Sequence, residues 1–143
     1  MITFYCPICW SEISKDDRTC TSCGADLASA DARPMVEKLC SALSHPEPQT
    51  AVRAAWILGE RREKRAVMEL IHVIETSSDG FLAEAAAEAL GKIADPRAID
   101  CLNTAAAVGP VRVRIASRDA LRRMQREARH EDKAIYPWHD KSR

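Results

Sequence analysis

Four of the chain's six cysteines lie at its very start, as the pairs Cys6-Pro7-Ile8-Cys9 and Cys20-Thr21-Ser22-Cys23 with ten residues between them. Thiolates at this spacing can close a tetrahedron around a metal ion, each pair forming a tight turn whose backbone amides help stabilise the sulfurs. Zinc suits the set best. A tetrathiolate iron centre uses the same ligands, but the loop between the pairs is short for it. A dithiol redox site needs only one pair, and neither pair lies in the strand-to-helix context such a site uses. The start Met1-Ile2-Thr3-Phe4-Tyr5 has no basic region followed by an apolar one, so a secretory signal is not expected. That favours a cytoplasmic location, reduced thiols and a metal site over a disulfide framework. The expectation is one structural Zn2+ held by Cys6, Cys9, Cys20 and Cys23, with no open position for water or substrate.

A head of roughly 25 residues is too small to bury a sufficient core of its own. Metal binding would supply its folding free energy, on the order of 10–16 kcal/mol for structural sites. From Tyr5 to Leu27, with Cys23-Gly24-Ala25-Asp26-Leu27 closing the second turn, the stretch resembles a short zinc ribbon. It departs at Trp10, where such ribbons commonly have glycine. The change alters a turn and leaves the ligands in place.

The elements that follow have another composition. From Ala28 onward alanine and leucine dominate, and the sequence repeats itself: Ala54-Ala55-Trp56-Ile57-Leu58-Gly59 lies over Ala86-Ala87-Glu88-Ala89-Leu90-Gly91. One position short of the same shift, Ser117, Ala120 and Leu121 continue the series from Ala86, Ala89 and Leu90, so a third copy begins and then stops. A period near 32 with two helices per unit is the signature of an α-solenoid. Val67, Leu70, Ile71 and Ile74 have the i, i+3, i+4, i+7 spacing of a buried helix stripe, as do Ala98, Cys101, Leu102 and Ala105. Asp79 and Asp95-Pro96 are helix-start signals, and Gly59 and Gly91 are expected where a helix ends and turns. Six helices are predicted, near 33–44, 49–60, 64–76, 80–93, 96–107 and 111–129. Small residues at Ala54, Ala86 and Ser117 would let helices approach while Leu58, Leu90 and Leu121 fill the core.

The run Leu82-Ala83-Glu84-Ala85-Ala86-Ala87-Glu88-Ala89-Leu90-Gly91-Lys92-Ile93-Ala94-Asp95-Pro96-Arg97-Ala98-Ile99 resembles the short HEAT-like repeat, the type also found in phycobilisome lyases. The resemblance covers roughly residues 33–128. It implies a mainly α fold: a short α-solenoid of HEAT-like helix pairs behind a small N-terminal zinc ribbon. The first copy departs at Thr50-Ala51 and at Glu63-Lys64; the third keeps Val113-Arg114 but has Arg122 in place of the turn glycine, so its helix should run on.

Net charge is zero, from 21 basic and 21 acidic side chains, which gives no global reason to expect nucleic acid or an anionic membrane as a partner. No apolar run reaches the roughly 20 residues a membrane span needs. The balance is nevertheless local: residues 111–143 carry ten basic and five acidic side chains. Arg114, Arg118, Arg122, Arg126 and Arg129 share one helix face, opposite Val113, Ala116, Ala120, Leu121, Met124 and Ala128. Such a ridge is either a solvated face or a contact for an anionic partner, with an acidic protein surface favoured over nucleic acid because no aromatics are interleaved. Cys40 and Cys101 sit in apolar stripes and read as core residues. His45, His72, His130 and His139 form no evident ligand set or nucleophile and base. The tail Ala134-Ile135-Tyr136-Pro137-Trp138-His139 is read as folding back over the last helix or engaging a partner.

The expected organisation is a zinc ribbon over 1–29, a HEAT-like domain over 30–129 and a tail over 130–143. The expected function is a non-catalytic protein-interaction module. A nucleic-acid adaptor using the arginine ridge is the first alternative; a lyase-like or enzyme-accessory role follows only from the repeat resemblance.

Overall fold

The computed structural model describes residues 2–135; Tyr136, Trp138 and His139, and with them the reading of the tail, lie outside the described residues. Two short antiparallel strands, β1 (Phe4–Tyr5) and β2 (Glu12–Ile13), open the chain, with Phe4 opposite Ile13 and Tyr5 opposite Glu12. Seven helices follow: α1 (Leu27–Asp31), α2 (Met35–Ala42), α3 (Pro48–Glu60), α4 (Val67–Thr76), α5 (Gly80–Ile93), α6 (Ile99–Val108) and α7 (Val111–Ile135). Single 3-10 turns, Lys64–Ala66 and Pro96–Ala98, lead into α4 and α6. The last six helices fall where the sequence predicts them. The short α1 is an addition to them; Asp26 starts it by accepting a hydrogen bond from the Ala28 amide.

The protein is mainly helical, a short helical solenoid. Helices α3, α5 and α7 pack side by side in one layer, while α2, α4 and α6 pack against them from the other side. Leu58, Leu70, Leu90 and Leu102 are wholly buried along the seam between the layers. Each contributes about 1.5–3 kcal/mol through removal of its apolar surface from water. Asp79 caps α5 by accepting from the Phe81 and Leu82 amides, and Asp95 caps the turn into α6 by accepting from the Arg97 amide.

Gly59 and Gly91 have a different role from the one read in the sequence. Both lie inside the last turn of a helix, and the left-handed positions that end those turns belong to Arg62 (φ 50°) and Ala94 (φ 56°), which occupy equivalent places in the two repeats. What requires glycine is proximity. A Cβ on Gly59 would lie 2.7 Å from Ala89 Cα, and one on Gly91 would lie 2.8 Å from Ala120 Cα. These glycines mark where α3 meets α5 and α5 meets α7 with no room for a side chain.

As expected, α7 runs on past Arg122, and it reaches Ile135. Its stripe of Val113, Ala116, Ala120 and Met124 is buried against α5 and α6, with Leu121 half-buried, but Ala128 is exposed. The helix therefore projects beyond the stack. Ser117, aligned with Ala86, is fully buried, and its hydroxyl has no hydrogen-bond partner among the described residues.

Candidate metal centre and partner surface

Two turns built on one plan bring the four cysteines together. In the first, the Trp10 amide donates to the Cys6 carbonyl and the Cys6 amide to the Ser11 carbonyl, both at 2.9 Å. In the second, the Gly24 amide donates to the Cys20 carbonyl at 2.8 Å and the Cys20 amide to the Ala25 carbonyl at 2.9 Å. Even the strand pairing is duplicated, since Tyr5 opposite Glu12 is matched by the bridge between Thr19 and Asp26. The plan needs a left-handed residue after the second cysteine of each pair. Gly24 supplies it at φ 74° without strain, whereas Trp10 supplies it at φ 59° at a cost.

The sulfurs of Cys6, Cys9, Cys20 and Cys23 all lie within 4.8 Å of one another. Cys6 Sγ is 3.7 Å from Cys23 Sγ, and Cys9 Sγ is 3.6 Å from Cys20 Sγ. With metal–sulfur bonds of about 2.3 Å, the edge of a ZnS4 tetrahedron is roughly 3.8 Å, so the cluster has the dimensions of such a site. Four cysteines this close can hold a metal ion such as zinc. Cys6 and Cys20 are buried; Cys9 and Cys23 are on the exposed side. Hydrogen bonding with the Ser11 hydroxyl and amide draws the pKa of the Cys9 thiol down to about 6. At Cys23 the Ala25 amide favours the thiolate, but desolvation and the neighbouring thiols push the group up to about 12.

The strained Trp10 has a partner. Its indole Nε1 donates to the Ser41 carbonyl on α2 at 3.1 Å, and its ring meets His45 edge-on at 4.7 Å, with Tyr5 also against His45 at 5.2 Å. Arg33 completes the junction by donating to the Pro7 carbonyl in the first cysteine turn, to the Ala30 carbonyl and to the Ser41 hydroxyl, each at 3.0 Å. Sequence reasoning missed Arg33, Ser41 and His45. The one available signal was the tryptophan where a glycine is usual.

The other thiols are quiet. Burial, reinforced by Glu69, pushes Cys40 up to about 11, and burial with Glu75 raises Cys101. Both are half-buried against the core. Cys101 also lines a groove of about 470 Å³ between α4 and α6, with Ile74, Glu75, Ala83, Asp100 and Val113. No histidine lines that groove, and the cysteine cluster of the head is the sole group of metal-binding type among the described residues.

Most of the arginine ridge lies along the outer edge of α7, which no other helix covers among the described residues. Gly59 of α3 lies against α5 and Gly91 of α5 lies against α7, each preceded at four-residue spacing by buried alanines, Ala51 and Ala55 in α3 and Ala83 and Ala87 in α5. The equivalent residues of α7, in the alignment of the third copy on the second, are Arg114, Arg118 and Arg122. Arg114 is half-buried; Arg118, Arg122, Arg126 and Arg129 are exposed. Arg118 donates to the Ala106 carbonyl near the end of α6 at 3.3 Å, and Arg122 pairs with Asp119 at 3.3 Å on the surface. Arg126 is set apart from the others, beside Glu88, Lys92 and Arg123 in a shallow cleft between α5 and α7.

Antiparallel helix pairs stacked at a regular period, with glycine where neighbouring helices touch, define a helical-repeat protein. Residues 36–122 match the HEAT repeats, and the chain belongs to that family. A comparison with curated proteins finds no match. No helix among the described residues is long and apolar enough to cross a membrane.

Proposed function

We propose that this protein is a non-catalytic, zinc-stabilised interaction module of the cytoplasm, in which a zinc ribbon closes one end of a HEAT-repeat stack and the opposite end takes an acidic protein partner. The observation that carries this reading is the replacement of the seam Ala83, Ala87, Gly91 by Arg114, Arg118, Arg122 along α7, the last described helix. Terminal repeats need a polar outer face. Three arginines in the place of that seam, with Arg129 on the same helix face, exceed that need and favour an anionic surface as the occupant. The metal is structural in this reading, because four thiolates fill a tetrahedral zinc and leave no site for substrate.

Two measurements test it. Elemental analysis of the purified protein should give one zinc per chain, and chelation should unfold the head while most helical circular dichroism persists; a metal-free protein with an ordered head would sink the zinc assignment. Capture of partners from the source cell should lose its acidic component in Arg118→Glu with Arg122→Glu. Ridge-dependent binding of nucleic acid that falls steeply with salt would instead favour the adaptor reading.

A further inference from the structure

Among the described residues the outer edge of α7 is free, and it has the form of a surface made to receive a helix. Inside the stack the edge positions of α3 and α5 each take a neighbouring helix lengthwise, so closely that glycine is required at Gly59 and Gly91. The same four-residue spacing continues in Arg114, Arg118 and Arg122, which spans about 12 Å of helix. Guanidinium groups in place of methyl groups and a glycine hold any incoming helix further out. They also present forked donors that match carboxylates.

A second exchange points the same way. In α5, Glu84 accepts a hydrogen bond from Arg112 of α7 at 2.9 Å, so that position faces the next helix in the stack. Its counterpart in α7 is Ile115, which is 56% exposed, with Val111 a turn before it at 62%. The edge is thus an arginine seam with an apolar strip at its N-terminal part. Its complement is a helix carrying acidic residues one turn apart and at least one apolar side chain. A second copy's ridge is a poor occupant, because Arg114, Arg118 and Arg122 would face the same arginines.

We infer that the free edge of α7 binds an α-helix of a partner protein, laid along Arg114, Arg118 and Arg122 as a substitute for the next repeat, with its carboxylates on the guanidiniums and an apolar side chain on Ile115 and Val111. This rests on the reading of the ridge as a partner surface and specifies what that partner presents.

The test uses the full chain loaded with zinc and a fluorescein-labelled stapled helical peptide that has glutamates at i, i+4 flanking a leucine. Three comparison ligands are a proline-broken peptide of the same composition, the helical peptide with glutamine for glutamate, and a short nucleic-acid duplex. Fluorescence anisotropy at low salt should show the helical acidic peptide binding at least about tenfold tighter than the other three. Arg118→Gln with Arg122→Gln should weaken it by about tenfold or more, Ile115→Ser should weaken it less, and Arg53→Gln on α3 should leave it unchanged. Circular dichroism confirms that each variant is folded. If the broken peptide binds as tightly as the helical one and both depend on the ridge, the helix inference falls while the acidic-partner reading stands. If neither acidic peptide binds, both fall. Ridge-dependent self-association of the unmodified protein, or tighter binding of the duplex, also overturns the inference.

Discussion

Asp95 is held by one residue in two ways. Its two oxygens accept from the Arg97 guanidinium at 2.9 Å each, and Oδ1 also accepts from the Arg97 amide at 3.0 Å. The same guanidinium donates to the Lys64 carbonyl of the preceding repeat at 3.0 Å, so the pair joins two units of the stack. In the first repeat Glu63 and Arg65 occupy the equivalent positions at a looser 3.8 Å. The Arg97 contacts draw the Asp95 carboxyl from its ordinary 3.8 down to about 2. A carboxyl lowered in the folded state stabilises the fold above its unfolded value, and that contribution is lost as pH falls through the folded one. The thermal midpoint of the native chain should therefore drop more steeply between pH 3.8 and about 2 than that of Asp95→Asn, which keeps a capping oxygen without the charge. Parallel acid limbs in the two proteins would show that the pair contributes nothing to pH stability.

Among the helices, the repeat is set by the distance at which one can approach the next. Because a Cβ at residue 91 would lie 2.8 Å from the Ala120 backbone, Gly91→Ala must move α7. Overpacking of this kind costs about 1–3 kcal/mol, which exceeds the roughly 1 kcal/mol that alanine gains over glycine in a helix. Gly80→Ala, at the start of α5 with nothing within 4 Å of the added methyl, should be neutral or slightly stabilising. Paired thermal or urea unfolding of the two variants reads the contrast; equal effects would mean the approach at residue 91 relaxes freely. Where a fourth helix of this layer would need alanine, alanine and glycine, the chain has three arginines.

For the whole molecule, the question is how the head and the stack are joined. Trp10 adopts a left-handed backbone that costs on the order of 1–3 kcal/mol. In return its ring packs on His45, and its indole reaches the Ser41 carbonyl. Trp10→Gly would relieve the turn and remove the dock. The variant should still bind one metal ion per chain, while hydrogen exchange of amides near Ser41 to His45 at the end of α2 quickens and that of α5 does not change. Unaltered exchange at the end of α2 would mean the two parts are joined without the tryptophan. Arg33, bonded to both parts and to α1, is the next residue to test in the same way.

The amino-acid sequence determined the features that depend on spacing along the chain. Paired cysteines with two residues between them impose tight turns, apolar stripes at helical period impose amphipathic helices, and a regular repeat of helix pairs imposes a stack. For that reason the six long helices and the four clustered thiols were legible from sequence. Arg114, Arg118 and Arg122 were legible as a helix face, but their place at the free edge needed the alignment of each helix with its neighbour in space. Gly59 and Gly91 read as turn residues in the sequence because proximity between helices is not encoded locally. Only the tertiary structure brought Trp10 onto Ser41 and His45, which are distant along the chain and belong to no motif shared with it. Contacts of that kind arise from the packing of finished elements, and no period in the chain announces them.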